Sequence, residues 1–189
     1  GQGKHFSAGM DLANFMSGEG SGTKKDPARM RETFYHEVLE LQDTFSALED
    51  CRIPTIASIQ GACVGGAIDM AAACDMRYCS EDAFFKIAEV DIGIAADVGT
   101  LQRLPSLIPL AVVRELAYTG RRFEAEEAKE LGLVNKVFKS RDDLKDGVLK
   151  VAKEIASKSP LVTRVIKKQI NYSRDHSVKD ALDYHAIWN

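Results

Sequence analysis

From Met30 onward, apolar residues recur at spacings of three and four: Met30, Phe34, Val38, Leu41, Phe45 and Leu48. That period places them on one face of a helix, predicted over residues 28–49. Pro54 ends any helix, and Thr55-Ile56-Ala57-Ser58-Ile59 then reads as a buried strand. Gly61 to Gly66 is predicted to be a turn, followed by a helix of small residues over Ala67–Cys74. Such side chains let a helix pack closely against its neighbours, so this one is expected to be central. Short strands are expected at Met76–Cys79 and Ala83–Phe85, and a loop over Ile92–Thr100.

The last third is more helical. Pro109 suits a first helical position with Leu110–Tyr118 following, and Glu124–Leu131 is a helix ended by Gly132. Val134–Phe138 returns as a strand. Ser140 can cap a helix over Arg141–Ser157, Pro160 starts another to about Ser173, and Ser177 with Asp180 resembles a capping box. Near the start, Ser7-Ala8-Gly9 suggests a loop with free backbone N–H groups, after which Asp11 could begin a helical turn. Residues 17–27, rich in Gly, Ser and charge, are expected to form a mobile surface loop, either a plain connection or a lid over a ligand.

Composition narrows the function classes. The 189 residues are 45% hydrophobic and 28% charged, which fits one globular domain with a real core. A net charge of −3 offers no basic field for nucleic acid, and no apolar run reaches the roughly 18 residues of a membrane span. Cys51, Cys63, Cys74 and Cys79 form no CxxC pair and read as free thiols of a reducing compartment. His5, His36, His176 and His185 are scattered, so no metal motif is visible. Both ends look like cuts through a larger domain.

The candidate chemistry lies between Ile59 and Thr100. Gly61-Ala62-Cys63-Val64-Gly65-Gly66 has the wrong spacing for a dinucleotide fingerprint and lacks the Lys-Ser/Thr of a phosphate loop. A tight strand-to-helix turn with N–H groups facing something negative survives, as does a purely structural turn. Asp69 falls one turn into the small-residue helix, where a carboxylate must be paired, solvent-facing or stabilised by the helix end. If Glu89-Val90-Asp91-Ile92 is extended, Glu89 and Asp91 share a face. Asp97, amid small and apolar neighbours, is either a turn former or a buried proton carrier. No serine or cysteine nucleophile has a persuasive histidine partner. The basic run Lys158, Arg164, Lys167, Lys168 and Arg174 reads as a solvated helix face.

These motifs resemble the enoyl-CoA hydratase/isomerase (crotonase) superfamily. The resemblance is carried by Phe6-Ser7-Ala8-Gly9-Met10-Asp11-Leu12, by Ile59 to Gly66 with the Asp69 helix, and by Glu89 to Pro105. The last block, with Tyr172-Ser173-Arg174-Asp175-His176-Ser177, is most similar to the subfamily that isomerises 3,5-dienoyl-CoA to 2,4-dienoyl-CoA. The resemblance implies an α/β fold: a ββα spiral core over residues 1–138 carrying the site, and a partial C-terminal helical region over 139–189, together one functional domain.

It implies further that Glu89 is the base at C2 and Asp97 the acid at C6, with Asp69 beside Glu89 to tune it. For this Glu89 must be ionised while Asp97 is protonated in an apolar pocket. The backbone N–H groups of Met10 and Gly66 would form the oxyanion hole, and Ala8, Gly9, Met10, Asp11, Leu12 and Gly66 would bind the CoA thioester. No metal or separate cofactor is implied. A homotrimer or a dimer of trimers, in mitochondria or peroxisomes, is the implied setting. Two alternatives stay open: an enoyl-CoA hydratase, and a non-catalytic homologue using the basic 158–174 face on RNA.

Overall fold

The computed structural model describes residues 1–11, 13 and 26–188; residues 17–25 of the expected 17–27 loop, and Leu12, lie outside these. Helix α1 spans Pro27–Asp50, with Asp26 accepting a hydrogen bond from the Ala28 N–H and Pro27 at the first turn. Then come β1 (Ile56–Ile59), β2 (Ala62–Val64), α2 (Gly66–Ala73), β3 (Met76–Ser80) and β4 (Phe84–Lys86). A 3₁₀ turn at Glu89–Ile92 leads to α3 (Thr100–Arg103), a second 3₁₀ turn and α4 (Leu110–Thr119). The chain continues through β5 (Phe123–Glu124), α5 (Ala125–Glu130), β6 (Lys136–Phe138), α6 (Arg141–Ala156), α7 (Pro160–Asp175) and α8 (Val178–Ala186).

The strands form two small sheets. One has the order β1-β3-β6, all parallel; the other has β2-β4 parallel and β4-β5 antiparallel. Ile56 pairs with Met76 and Ala62 with Phe84, so each winding of the chain returns about 20 residues later, first on one sheet and then on the other. This is a ββα spiral, with α2 closing a winding.

Helix α2 is buried at Ala67, Ile68, Asp69, Ala71, Ala72 and Ala73, as expected for a helix apolar all round. Ile59, Ile68, Leu104 and Leu116 are almost wholly enclosed, and Phe85 stacks on Phe123 at 5.3 Å between centroids. Helix α6 lies across β1, β3 and β6.

Several expectations are corrected. The glycine motif is not one turn: Ala62–Val64 is a strand, because Gly61 and Gly65, both at positive φ, make separate bends around it. Glu89–Ile92 is 3₁₀ rather than extended, so Glu89 and Asp91 do not share a strand face; Asp91 instead pairs with Lys86 at 2.6 Å. Pro109 caps α4 rather than entering it. Met30 and Phe34 of α1 are each 55% exposed; its half-buried residues, such as Gln42, Phe45 and Glu49, lie toward the C-terminal half.

The basic run is also not simply solvated. Lys167 is buried, pairs with Asp75 at 2.9 Å and donates to the carbonyls of Leu48 and Ile53. Ser177 accepts the Asp180 N–H at 3.2 Å, the first half of a capping box, while the Asp180 carboxylate accepts the Ser177 hydroxyl at 2.6 Å.

Candidate active site

Three parallel segments end at the same edge. The Phe6 N–H donates to the Gln60 carbonyl at 2.7 Å, the Ser7 N–H to Ala62 at 3.0 Å and the Val64 N–H to Ser7 at 3.2 Å, laying the Ser7 segment beside β2. The Gly65 N–H then donates to the Lys86 carbonyl at 3.0 Å. The loops after Ser7, Val64 and Lys86 therefore leave the carboxyl ends of neighbouring parallel strands, where α/β sheets characteristically place ligands.

Two glycines shape that edge. Gly9 has φ +90°, and a Cβ on it would lie 2.8 Å from the Val64 carbonyl oxygen and 3.7 Å from the Gly66 nitrogen. The backbone leading into Met10 thus lies against the start of α2. Among the described residues, neither the Met10 N–H nor the Gly66 N–H has a protein acceptor. Gly66 also opens α2, so the helix end favours negative charge there. Gly65 has φ +57°, and a Cβ on it would lie 3.3 Å from Glu89 Oε1. Glu89 is thus held against the same turn.

The acids differ in setting. Asp69 is fully enclosed; its Oδ1 accepts the Thr100 N–H at 2.5 Å, and its Oδ2 has no partner among the described residues. Burial raises the Asp69 pKa, against the opposing pull of Thr100 and Arg103. Burial likewise raises Glu89, and the negative charges of Asp69 and Asp97 push it in the same direction. Glu89 Oε2 is buried and, among the described residues, has no hydrogen-bond partner.

Asp97 is exposed, not enclosed in an apolar pocket as expected; the apolar neighbour Ala96 is the one that turns inward. The Asp97 carbonyl accepts from Gln42 Nε2 at 2.6 Å, which ties its loop to α1. The resolved upward shifts therefore fall on Asp69 and Glu89, rather than leaving Glu89 as an ordinary carboxylate.

Gly9, Met10, Gly66 and Glu89 are gathered around one edge of the sheet; Asp69 lies behind it on α2, and Asp97 stands on the loop that Asp69 holds at Thr100. Ala8, Met10 and Asp11 are exposed, and Asp11 accepts from the Ala13 N–H at 3.0 Å. Leu12, expected to bind substrate, lies outside the described residues. Gln42, Thr100 and Arg103 were not singled out from sequence. Arg103 pairs with Glu49 at 2.8 Å and packs against Gly99, beside the Asp97 loop.

A hollow of about 1100 Å³ is bordered by Asp97 and Gly99 but not by Glu89 or Met10; Glu49, Lys167 and Arg174 also line it. Burial and the facing N–H groups mark the glycine edge more sharply than this volume does.

The spiral fold, the glycine edge and the acids on it find their counterpart in one family: the chain belongs to the enoyl-CoA hydratase/isomerase family, whose profile matches residues 1–186. Within it, the chain is 50% identical to the peroxisomal Δ(3,5)-Δ(2,4)-dienoyl-CoA isomerase of Arabidopsis thaliana, matching all of this chain and 68% of that protein. It is 46% identical to the mitochondrial Δ(3,5)-Δ(2,4)-dienoyl-CoA isomerase of Homo sapiens, over 100% of this chain but 58% of that protein's length. An enoyl-CoA hydratase crystal structure from Bacillus anthracis superposes with a TM-score of 0.86 at 32% identity, covering 100% of this chain and 69% of that one.

Proposed function

We propose that the full-length protein isomerises 3,5-dienoyl-CoA to 2,4-dienoyl-CoA, a step in the β-oxidation of unsaturated fatty acids. The observation that carries this is a third carboxylate, Asp97, on the loop between Glu89 and Thr100, whose N–H donates to Asp69 at 2.5 Å behind the glycine edge. The dienoyl-CoA isomerases at 50% and 46% identity support it.

In the reaction, ionised Glu89 takes a proton from C2. The C–H electron pair enters the conjugated system, and charge collects on the thioester oxygen, where Met10 and Gly66 donate. One such donor is typically worth about 2.7–4 kcal/mol in the transition state. Asp97, in the acid form that donation requires, then delivers a proton to C6, and the double bonds settle at C2 and C4. Glu89 ends protonated and Asp97 ionised, and exchange with solvent resets both. No electrons leave the substrate, so the reaction requires no redox cofactor.

Burial next to Asp69 brings Glu89 closer to the pH at which it works, which suits a base that must also release its proton. Ala8, Gly9, Met10, Asp11, Leu12 and Gly66 would line the CoA-thioester path. The exposed apolar residues of α7 and α8, including Leu161, Ile170, Val178 and Leu182, support assembly as a homotrimer or a dimer of trimers. The names of the relatives support a peroxisomal or mitochondrial setting.

An ultraviolet assay of the full-length protein tests the reaction. Absorbance should rise on 3,5-dienoyl-CoA as conjugation with the thioester extends. Hydration of 2-enoyl-CoA without conversion of the diene would instead establish a hydratase.

A further inference from the structure

Helix α1 turns a polar stripe toward the Asp97 loop. Gln42, Ser46 and Glu49 are spaced by four and three residues, so they share one face. Gln42 Nε2 donates to the Asp97 carbonyl at 2.6 Å. Arg103, at the end of α3, donates to Glu49 Oε2 at 2.8 Å through Nε and to Ser46 Oγ at 3.1 Å through Nη2. The remaining arm of its guanidinium, Nη1, lies over Gly99, where a Cβ would collide with it.

This bridge is largely enclosed, with side-chain exposure of 15% at Arg103 and 16% at Glu49. Hydrogen bonds to a carboxylate are strong, and the planar fork of arginine fixes direction as well as distance. Glu49 is itself held from the other side, at Oε1, by Arg174 of α7. The Glu89–Pro105 and Tyr172–Ser177 stretches, the two most like the dienoyl-CoA-isomerising subfamily, are thus joined at one carboxylate. Neither arginine takes part in the proposed proton transfers.

From this geometry we infer that Arg103 is a positioning residue: anchored by Glu49 and Ser46, its guanidinium packs on Gly99 and sets where Asp97, two residues earlier, meets C6. The inference rests on the proposed isomerase reaction. The intermediate formed by proton loss at C2 has two outlets, a proton back at C2 or one from Asp97 at C6. Displacing Asp97 slows the second. Arg103 also acts by its positive charge on Asp69, and Asp69 acts on Glu89, so the informative variant is one that keeps that charge.

The experiment uses the full-length protein in D2O with 3,5-dienoyl-CoA, comparing deuterium entering recovered substrate at C2 with 2,4-dienoyl-CoA formed. Arg103→Lys retains the positive charge but cannot bond Glu49 and Ser46 while covering Gly99. It should raise the exchange-to-product ratio by about tenfold, because displacing a reacting group by about an ångström can cost up to about a hundredfold in rate. Glu49→Gln should raise the ratio too, because a neutral amide holds the guanidinium less firmly than a carboxylate does. The double variant should stand no higher than Arg103→Lys alone, since both changes release one bridge.

An unchanged ratio in Arg103→Lys, including equal loss of exchange and product, overturns the assignment. So do single effects that multiply in the double variant. Should Arg103→Lys lose its cooperative melting transition, Glu49→Gln decides alone, and an unchanged ratio there overturns it. Absence of any diene conversion by the unaltered full-length protein overturns the isomerase reading itself, and with it this inference. Where the unaltered protein converts the diene, the ratios in the variants bear on positioning alone.

Discussion

Lys167 of α7 reaches Asp75, just ahead of β3, at 2.9 Å, with only 6% of the lysine side chain exposed. Asp75 also accepts from the N–H and hydroxyl of Thr55, and Lys167 donates to the carbonyls of Leu48, in the last turn of α1, and Ile53, just beyond it. The pair thus joins the spiral to the C-terminal helices with its polar atoms satisfied. Lys167→Met should destabilise the protein by about 1–3 kcal/mol, because Asp75 keeps its threonine donors while losing its cation. Urea denaturation measures this; an unchanged midpoint would mean that the pair contributes nothing.

The two proposed proton-transfer roles should separate kinetically. Glu89→Gln should lower both C2 exchange and product formation by about 10²–10⁴-fold. Asp97→Asn should lower product formation by a comparable factor while C2 exchange persists. Near-normal turnover in full-length Asp97→Asn rules out that residue as the donor at C6.

The glycines of the edge should respond unequally to alanine. At Gly9 the new methyl meets the Val64 carbonyl at 2.8 Å on a backbone with φ +90°, so the Met10 N–H must move. Loss of one oxyanion donor corresponds to about 10²–10³ in kcat. At Gly66 the methyl meets only Phe45 Cζ, at 3.8 Å, and the backbone is helical. Gly66→Ala should therefore melt within a few degrees of the parent, as differential scanning calorimetry can check, whereas Gly9→Ala should not.

Stability should depend on pH in opposite senses at two acids. Asp69 has a folded pKa above its ordinary 3.8, chiefly through burial, so the folded state binds its proton more tightly than the unfolded chain. Its contribution falls as pH rises from about 4 toward the raised value. Asp69→Asn should flatten that decline.

Glu49 is the reverse case. Burial alone would raise it, but hydrogen bonds and charge from Arg174 and Arg103 hold it below 4.5. Its contribution is present above the ordinary value and disappears as pH falls through the depressed one. Glu49→Gln should therefore flatten the acid limb. Chemical denaturation across pH 3–7, a window of roughly that width around ordinary carboxylate values, distinguishes the two slopes. A common slope change in both variants would contradict the assignment.

Much of this architecture was legible because local signals agreed with packing. Ser140 and Ser177 mark helix starts through capping that involves only neighbouring residues, whereas Pro27, read as the end of a loop, is the first residue of α1. The apolar composition of α2 required burial wherever the chain placed it. What stayed hidden depended on distant partners.

A three-residue strand such as Ala62–Val64 has no period of its own and exists because Phe84–Lys86 and Ser7 offer a ladder. Lys167 looked solvated because Asp75 is remote in sequence. Thr100, a polar residue among glycine and leucine, gave no sign that its N–H would meet Asp69. Asp97 misled in the other direction, since its small neighbours suggested enclosure, whereas Ala96 turns inward and the acid faces out.

The winding of the spiral makes chain length itself a carrier of chemistry. Asp69 and Glu89 occupy successive windings, and between them the chain pairs β3 with β1 and β4 with β2 in fixed register. One residue deleted between Met70 and Ala88 would turn part of that pleat over, exchanging inward and outward side chains. Substitutions at the loop tips can retune the acids singly, but an insertion in the ladder disturbs them together. Evolution or design of new specificities on this frame is therefore free in residue identity at the edge, and tightly constrained in spacing beneath it.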